Sequence, residues 1–512
     1  MTDPAKPQRY GKLAKKNVVW SFLREGAVSL IVFPTSMILA RLLTPAEFGT
    51  AAIAYFFLAL GAKLGQVGLN ASLVRMKEIQ PEHTSTAFVV NLGLGACLWI
   101  VLTLLAPLLA ASVRSEQVIQ IMPVAALTFV ISAFGTVPGA LMSRDLPRYR
   151  ERAACEWVGT LTNSLVAVFL AWRGFGFWSI VYGHLAADLA RASAKLHFAR
   201  WRPSLRFSTT AFRELFSFGA GIYVKNLIEY AANNIDNLIV GRLLGMASLG
   251  FYDRAFGLTS RMVSRINLAG PSISFRIFSL IHEDHERFRR GFKQIVLAVS
   301  LVGYPIFTAL ILLAPALIPV LFGPRWTPSV LPFQILCAAG MLRLLTTYTV
   351  TATQAKGMIW SEVRQQAVSL VLLAVGVAAL SRWGVAGAAL GVLFATLVRT
   401  VLMLRLAKRL AVLRWSDVLM PQLPAVACSA GMAVVLSVAR LLLSELAGNT
   451  PAWMTLTVGA IVAALFYVAF LLFSGFRDVR NLVCQTVDDL APFAARPIRA
   501  LTSGRGVAVL ER

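Results

Sequence analysis

The sequence predicts an all-α integral membrane protein of about fourteen transmembrane helices, built as two six-helix lobes with two extra C-terminal helices. Three observations carry that expectation: a composition unsuited to a water-soluble core, a succession of apolar runs long enough to cross a bilayer, and a nearly constant offset at which the first half of the chain matches the second. Of the 512 residues, 57% are hydrophobic and only 14% charged, with a mean hydropathy of +0.69, whereas an ordinary soluble domain is about 25% charged. Lipid is therefore the solvent. Because lipid offers the backbone no hydrogen bonds, each crossing must satisfy its own polar groups as a helix.

Apolar runs lie near 18–40, 47–70, 84–111, 117–142, 153–172, 175–190, 215–240, 247–270, 294–321, 329–355, 363–381, 384–404, 418–442 and 452–474. They divide the chain into a basic N-terminus (1–16), an N-lobe (17–198), a linker (199–214), a C-lobe (215–409), two further helices (410–475) and a tail (476–512). The first run is too long for the core of a cleavable signal peptide, carries Arg24 and Glu25 and lacks a small-residue cleavage site, so it is expected to remain a helix. In the tail, Val479, Leu482, Val483, Val487 and Leu490 recur at roughly helical spacing. That pattern fits either a helix on the inner membrane surface or a solvated tail.

A formal charge of +25 would suit nucleic acid if the basic residues shared one soluble surface. They are instead sorted by side. Threading the runs back and forth places Lys6, Arg9, Lys12, Lys15 and Lys16 on the same side as 75–83, 144–152, 191–213, 276–293, 356–364, 405–417 and 477–512, which together hold most of the 49 lysines and arginines. The opposite loops carry single arginines at Arg41, Arg114, Arg173, Arg242, Arg325 and Arg382, and the last, around Glu445, carries none. This asymmetry predicts cytoplasmic termini. It also explains the charge through topology and contact with anionic lipid headgroups, with no nucleic-acid partner.

Sliding the sequence by 201 residues aligns Arg41-Leu42-Leu43 with Arg242-Leu243-Leu244, Gly49 with Gly250, and Arg75 with Arg276. A shift of 208 aligns Gly176 with Gly384, Gly183 with Gly391, and Arg191 with Arg399. Each repeat holds an even number of runs, so both keep the same orientation and the pseudo-twofold axis is expected along the membrane normal, with a cavity between the lobes. The glycine-rich run Gly384-Val385-Ala386-Gly387 fits close helix packing.

Charge inside the membrane is costly, about 2.5–3.5 kcal/mol per central residue on the insertion scale. Basic residues nevertheless fall in the runs at Arg24, Lys63, Lys225, Arg254, Arg261, Arg265 and Arg343, with Arg399 and Arg440 near helix ends. Arg254, Arg261 and Arg265 sit at i, i+7 and i+11, which at about 100° per residue places them along one line of a helix. Lys225, Glu229 and Asp236 share a face in the same way, and the repeat superimposes Arg24 on Lys225. One reading neutralises these charges in pairs, such as Lys225 with Glu229 or Arg254 with Asp253. The other leaves a cationic vestibule, for which the compact charge of a phosphate or diphosphate is the economical match. On that reading Arg24, Lys63, Lys225, Arg254, Arg261 and Arg265 bind the anion, and Glu25, Glu229, Asp236 and Asp253 are coupling or gating groups. Trp20, Tyr55, Tyr223, Tyr230 and Tyr252 fit an interfacial belt or stacking on sugar rings.

Several chemistries have no place here. There is no G-x-x-x-x-G-K-[ST] phosphate loop, so the chain is not expected to be its own ATPase, and no cofactor is expected. His282-Glu283-Asp284-His285 lies in a charged loop with no further ligand, so no metal is expected. Cys97, Cys155, Cys337, Cys428 and Cys484 lack C-x-x-C spacing and are expected to be apolar packing residues.

The run Arg41-Leu42-Leu43-Thr44-Pro45-Ala46-Glu47-Phe48-Gly49 resembles the hallmark of the polysaccharide transporter family, within the multidrug/oligosaccharidyl-lipid/polysaccharide exporter superfamily. So does its counterpart from Asn234-Ile235-Asp236-Asn237 through Gly241-Arg242-Leu243-Leu244-Gly245 to Leu249-Gly250-Phe251-Tyr252-Asp253-Arg254. Leu321-Phe322-Gly323-Pro324-Arg325-Trp326 and Gly174-Phe175-Gly176-Phe177-Trp178-Ser179 are similar to further family signatures. The resemblance covers about residues 10–410 and is closest to exporters of the colanic-acid and teichuronic-acid type. It implies a non-enzymatic flippase of lipopolysaccharide or exopolysaccharide biosynthesis in the bacterial inner membrane, moving an undecaprenyl-diphosphate-linked oligosaccharide to the periplasmic leaflet by alternating access. Its partners would include a glycan polymerase and chain-length machinery. Among site residues, the resemblance marks Asp236 and Arg242 as motif positions. The competing expectations are a small-molecule antiporter on the same fold, which calls for an acidic rather than basic cavity, and a membrane glycan polymerase or ligase, which calls for a long outward loop.

Overall fold

A computed structural model of the chain describes residues 26, 28–65, 72–74, 76, 78–144, 148–216, 220–268, 270–411, 413–447, 451–476 and 479–480. Among them every regular element is helical. By packing, the chain divides into two compact units, Met1–Asp253 and Arg254–Arg512. The first contains α1 (Val28–Leu42), α2 (Pro45–Gly65), α3 (Pro81–Val113), α4 (Gln117–Ala125), α5 (Leu127–Arg144), α6 (Tyr149–Trp172), α7 (Trp178–Ala199), α8 (Thr209–Phe216) and the larger part of α9 (Ala220–Ile266). The second contains the end of α9, α10 (Gly270–Leu280), α11 (His285–Phe322), α12 (Val330–Ala355), α13 (Ile359–Leu380), α14 (Gly384–Ala411), α15 (Trp415–Leu419), α16 (Leu423–Ala447) and α17 (Ala452–Phe473).

As far as they are described, the expected apolar runs are all occupied by helix. Among the described residues nine stretches are long and apolar enough to cross a membrane. Part of the difference from the expected fourteen lies in α1, which is shorter than the nine, and in α9, which is not among them. Two expected spans are continuous within Ser361–Arg409, joined only by the 3₁₀ turn Ser381–Trp383. The helix α7 is not among the nine, since it carries Asp188, Arg191 and Lys195. At the other extreme α17, with 22 residues, is about 33 Å long at 1.5 Å per residue and is largely unburied by protein. Its exposed Trp453, Ile461, Leu465 and Phe473 belong in acyl chains.

Local chemistry sets where the helices begin and bend. At the start of α2, Glu47 Oε2 accepts from the Thr44 backbone N–H at 2.7 Å and from its hydroxyl at 2.8 Å, while Thr44 Oγ1 faces the Glu47 N–H at 3.4 Å. This is a reciprocal cap with proline at the first helical position, where its missing N–H costs nothing. The helix α9 is broken at Gly245, whose φ of 82° is a conformation that side chains disfavour. Ahead of α11, Asp284 caps the helix by accepting from the N–H groups of Arg287 and Glu286 at 3.0 and 3.1 Å. The Arg287 N–H, foremost, holds its carboxyl below the usual carboxylate range. Asp284 thus serves the helix end, and among the described residues no group of three or more His, Cys, Asp or Glu side chains is placed to hold a metal ion.

The internal repeat has a direct structural counterpart within the first unit. A Cβ on Gly49 would collide with the Met246 carbonyl oxygen, and a Cβ on Gly250 with the Pro45 carbonyl oxygen. Under the offset of 201, Gly49 corresponds to Gly250 and Pro45 to Met246, so the two contacts are the same contact seen from either side. Two repeat-related helix starts cross here backbone to backbone, and glycine is required because only hydrogen fits. Arg242 Nη1 donates to the Ser112 carbonyl, 130 residues away in sequence, at 3.0 Å. Thr50 donates to Gln117 Oε1 at 2.7 Å.

In the second unit, Phe278, Phe288 and Phe292 pack with Val296, Leu345, Leu404 and Leu413. Beside them the fully buried Asp417 is held by Arg289 Nε at 2.5 Å and Lys293 Nζ at 2.7 Å. The cysteine expectation needs one correction: Cys155, Cys337 and Cys428 are buried, but Cys97 is exposed. It lies on a mostly unburied stretch of α3, where a small apolar side chain meets lipid rather than a packed core. Cys484 lies outside the described residues.

Candidate transport site

The predicted anion-binding residues fall into distinct settings. Arg24 and Glu25 lie outside the described residues, as do the side chains of Lys225 and Glu229, whose backbone is in α9. Lys63 is half-buried in the last turn of α2. Asp236 is buried and accepts a hydrogen bond from the buried Tyr252 hydroxyl at 2.5 Å. That bond links residues on either side of the Gly245 break and so braces the bend. Asp253 and Arg254 are half-buried, whereas Arg261 and Arg265 are exposed.

Helical periodicity explains this gradation. Leu249, Tyr252, Ala255, Thr259 and Val263 are buried and share one side of α9 after its break, and Thr259 Oγ1 lies 3.9 Å from Cys337 Sγ of α12. The line Arg254, Arg261, Arg265 runs along the other side. Arg343 of α12 does not join it: its guanidinium stacks over Phe256 at 5.5 Å and reaches Ser260 Oγ at 3.4 Å. Those two residues lie roughly 120–160° around the helix from the arginine line. The second unit therefore separates one arginine packed between helices from an arginine stripe with an exposed end.

A second polar constellation, in the first unit, was not anticipated. A cavity of about 320 Å³ is lined by Tyr55, Leu58, Ala59 and Ala62 of α2, Thr128, Phe129 and Ser132 of α5, and Val181, His184, Leu185 and Asp188 of α7, with Ala125 of α4. The His184 and Tyr55 rings face each other with centroids 4.5 Å apart, and the Tyr55 hydroxyl donates to the Ile180 carbonyl at 3.3 Å. Asp188 accepts from the Thr128 hydroxyl and from Arg191 Nη1 at 2.8 Å. Glu156 of α6 completes the row, 3.4 Å from Arg191 and 3.6 Å from Lys195. The sequence signal was present: His184, Asp188, Arg191 and Lys195 sit at i, i+4, i+7 and i+11. It lies across the end of the expected 175–190 run, where charges also fit the approach to the headgroups.

Residues 38–331 match the family described as "Polysaccharide biosynthesis protein". The chain is 25% identical over 312 residues to the lipopolysaccharide biosynthesis protein WzxC of Escherichia coli K12, covering 60% of this chain and 62% of that one. It is 26% identical over 320 residues to the succinoglycan biosynthesis transport protein ExoT of Rhizobium meliloti, covering 62% and 65%. The chain thus spans a little under two thirds of the length of these relatives. Among solved structures it resembles the lipid II flippase MurJ in an inward closed conformation, with a TM-score of 0.70 at 11% identity over 88% of this chain and 98% of that one. It also resembles an inward-facing multidrug resistance MATE family transporter of the MOP superfamily, with a TM-score of 0.60 at 13% identity over 75% of this chain and 94% of that one. These structures share its fold. The chain belongs to the polysaccharide biosynthesis protein family and has the helical fold of the multidrug/oligosaccharidyl-lipid/polysaccharide transporters.

Proposed function

We propose that this chain is a flippase carrying an oligosaccharide linked to undecaprenyl diphosphate from the cytoplasmic to the periplasmic leaflet of a bacterial inner membrane. The observation that carries the reading is the arginine line on α9, whose members Arg261 and Arg265 stay exposed on a helix of a membrane protein. A fixed row of guanidinium groups in a medium of low dielectric favours a compact polyanion, and arginine's fork matches phosphate oxygens two at a time. Arg24, Lys63, Lys225 and Arg254 are assigned to the same anion site. Glu25, Glu229, Asp236 and Asp253 are assigned to coupling or gating, and the Asp236–Tyr252 bond ties any such role to the Gly245 bend. The lobes at 17–198 and 215–409, the cytoplasmic termini, contact with anionic lipids and cooperation with a glycan polymerase belong to the same proposal. The chain's likeness to a lipopolysaccharide biosynthesis protein and to a succinoglycan biosynthesis transport protein supports it.

The test is a deletion strain complemented with the wild type, Arg261→Ala or Arg265→Ala at equal membrane abundance. Loss of one charge-assisted contact, worth about 1.5–3 kcal/mol, should lower glycan export about tenfold or more. Lipid-linked oligosaccharide identified by mass spectrometry should accumulate. Undiminished export in both variants would remove the basis of the reading.

A further inference from the structure

The internal repeat continues into the segments that leave α7 and α14. At the offset of 208, Leu205-Arg206-Phe207-Ser208 aligns with Leu413-Arg414-Trp415-Ser416. These stretches lead into the short helices α8 and α15, and each folds back on the start of a long helix of its own unit. Phe88, seven residues after the first residue of α3, meets the Trp201 ring with centroids 5.5 Å apart. Phe292, seven residues after the first residue of α11, packs with Leu413 and Val418. Polar bonds complete both attachments by different chemistry. In the first unit the Ser208 N–H donates to Thr86 Oγ1 at 3.0 Å. His83 Nδ1 accepts from the Gln80 N–H at 3.1 Å, which leaves Nε2 to donate to Glu214 at 2.9 Å. In the second unit Asp417 takes that part with Arg289 and Lys293, and it also accepts from the Arg414 N–H at 2.8 Å.

The surface left outside is alike in both units. Residues 200–214 set Arg200, Arg202, Arg206 and Arg213 against Glu214, and residues 405–417 set Arg405, Lys408, Arg409 and Arg414 against Asp417. Each acid is engaged by α3 or α11, while every one of these basic residues is exposed. Among them stand exposed apolar side chains, Leu205 and Phe207 in the first unit and Trp415 and Leu419 in the second, and the Lys408 ammonium lies 5.7 Å over the Trp415 ring. Cations around an exposed aromatic ring fit a medium with phosphate on one side and acyl chain on the other. A soluble acidic partner would answer the cations but give Leu205, Phe207 and Trp415 no apolar surroundings. We propose that 200–214 and 405–417 are repeat-related footings that bind anionic phospholipid headgroups, with Arg206-Phe207 and Arg414-Trp415 as their equivalent contact pairs. That the headgroups are those of the inner leaflet rests on the cytoplasmic placement in the reading above. Because each footing is fixed to a long helix of its own unit, each unit has its own hold on the membrane surface.

The test uses the full chain in phosphatidylcholine nanodiscs doped with a photoreactive phosphatidylglycerol or a photoreactive phosphatidylcholine, the labelled peptides being mapped by mass spectrometry. Labelling of both segments should be about tenfold greater with phosphatidylglycerol. Arg206→Gln combined with Arg414→Gln should lower that labelling about fivefold at each segment, the effect of one cation near an anionic surface. Arg206→Lys combined with Arg414→Lys keeps the charge and should hold labelling within about twofold. Equal labelling by the two lipids, or labelling indifferent to the glutamine substitutions, overturns the proposal and leaves the surface to a protein partner. Labelling displaced by excess undecaprenyl diphosphate assigns the segments to the transported substrate and likewise overturns it. Labelling that behaves as expected while Arg261→Ala and Arg265→Ala leave export intact upholds the footings and removes only the flippase reading.

Discussion

Two helices carry the same spacing in different settings. In α7, His184, Arg191 and Lys195 stand at i, i+7 and i+11; in α9, so do Arg254, Arg261 and Arg265. The α7 row is furnished with carboxylates, Asp188 from within and Glu156 from α6, each within 3.6 Å of a cation, and its charges are largely turned inward. The α9 row lies on the side of its helix away from the packed residues and ends in two exposed arginines. Spacing alone aligns groups on one face. Whether that face is buried or exposed is decided by how the neighbouring helices pack on it.

This contrast predicts a separation between stability and export. In the α7 row, Asp188→Ala leaves the Arg191 guanidinium without its nearest carboxylate and should cost about 2–3 kcal/mol, the low end for a broken buried pair because both partners keep some exposure. The readout is the thermal unfolding midpoint of the detergent-purified protein. Arg261→Ala in the α9 row should change that midpoint by less than the equivalent of about 0.5 kcal/mol, as expected of an exposed side chain, while export falls. Equal destabilisation by the two substitutions would erase the distinction.

The glycine crossing sharpens the comparison from outside both rows. Because the Gly49–Met246 and Gly250–Pro45 contacts are reciprocal and involve backbone carbonyls, Gly49→Ala and Gly250→Ala should each destabilise by about 1–3 kcal/mol, and by similar amounts. Unequal penalties, measured by the same unfolding assay, would show that the repeat's symmetry does not extend to packing. A smaller effect, about 1 kcal/mol, is expected for Tyr252→Phe, which removes its hydrogen bond to Asp236. Asp236→Asn should cost about the same if the bond serves only to brace the Gly245 bend.

Much of the fold was readable because apolar length and side-specific charge are one-dimensional signals. The break at Gly245 falls in the gap between the expected runs 215–240 and 247–270, and the offset of 201 aligns Gly49 with Gly250, whose contacts only the structure supplies. Other features depend on partners far along the chain. Nothing local announces that Thr128 and Glu156 complete the set around Asp188, or that Asp236 meets Tyr252 across a bend sixteen residues long. Arg343 illustrates the limit from the other side: in sequence it is one more intramembrane cation, but in space it stacks on Phe256 and lies away from the arginine line.

The central claim is that the exposed arginines of α9 bind a diphosphate-headed lipid, and direct binding tests it most cleanly. Native mass spectrometry of the full chain with undecaprenyl diphosphate, at matched protein and lipid concentrations, should show binding weakened about tenfold or more by Arg261→Ala combined with Arg265→Ala. Arg343→Ala should weaken it by less than about threefold. Retention of wild-type affinity by the double variant would contradict the account.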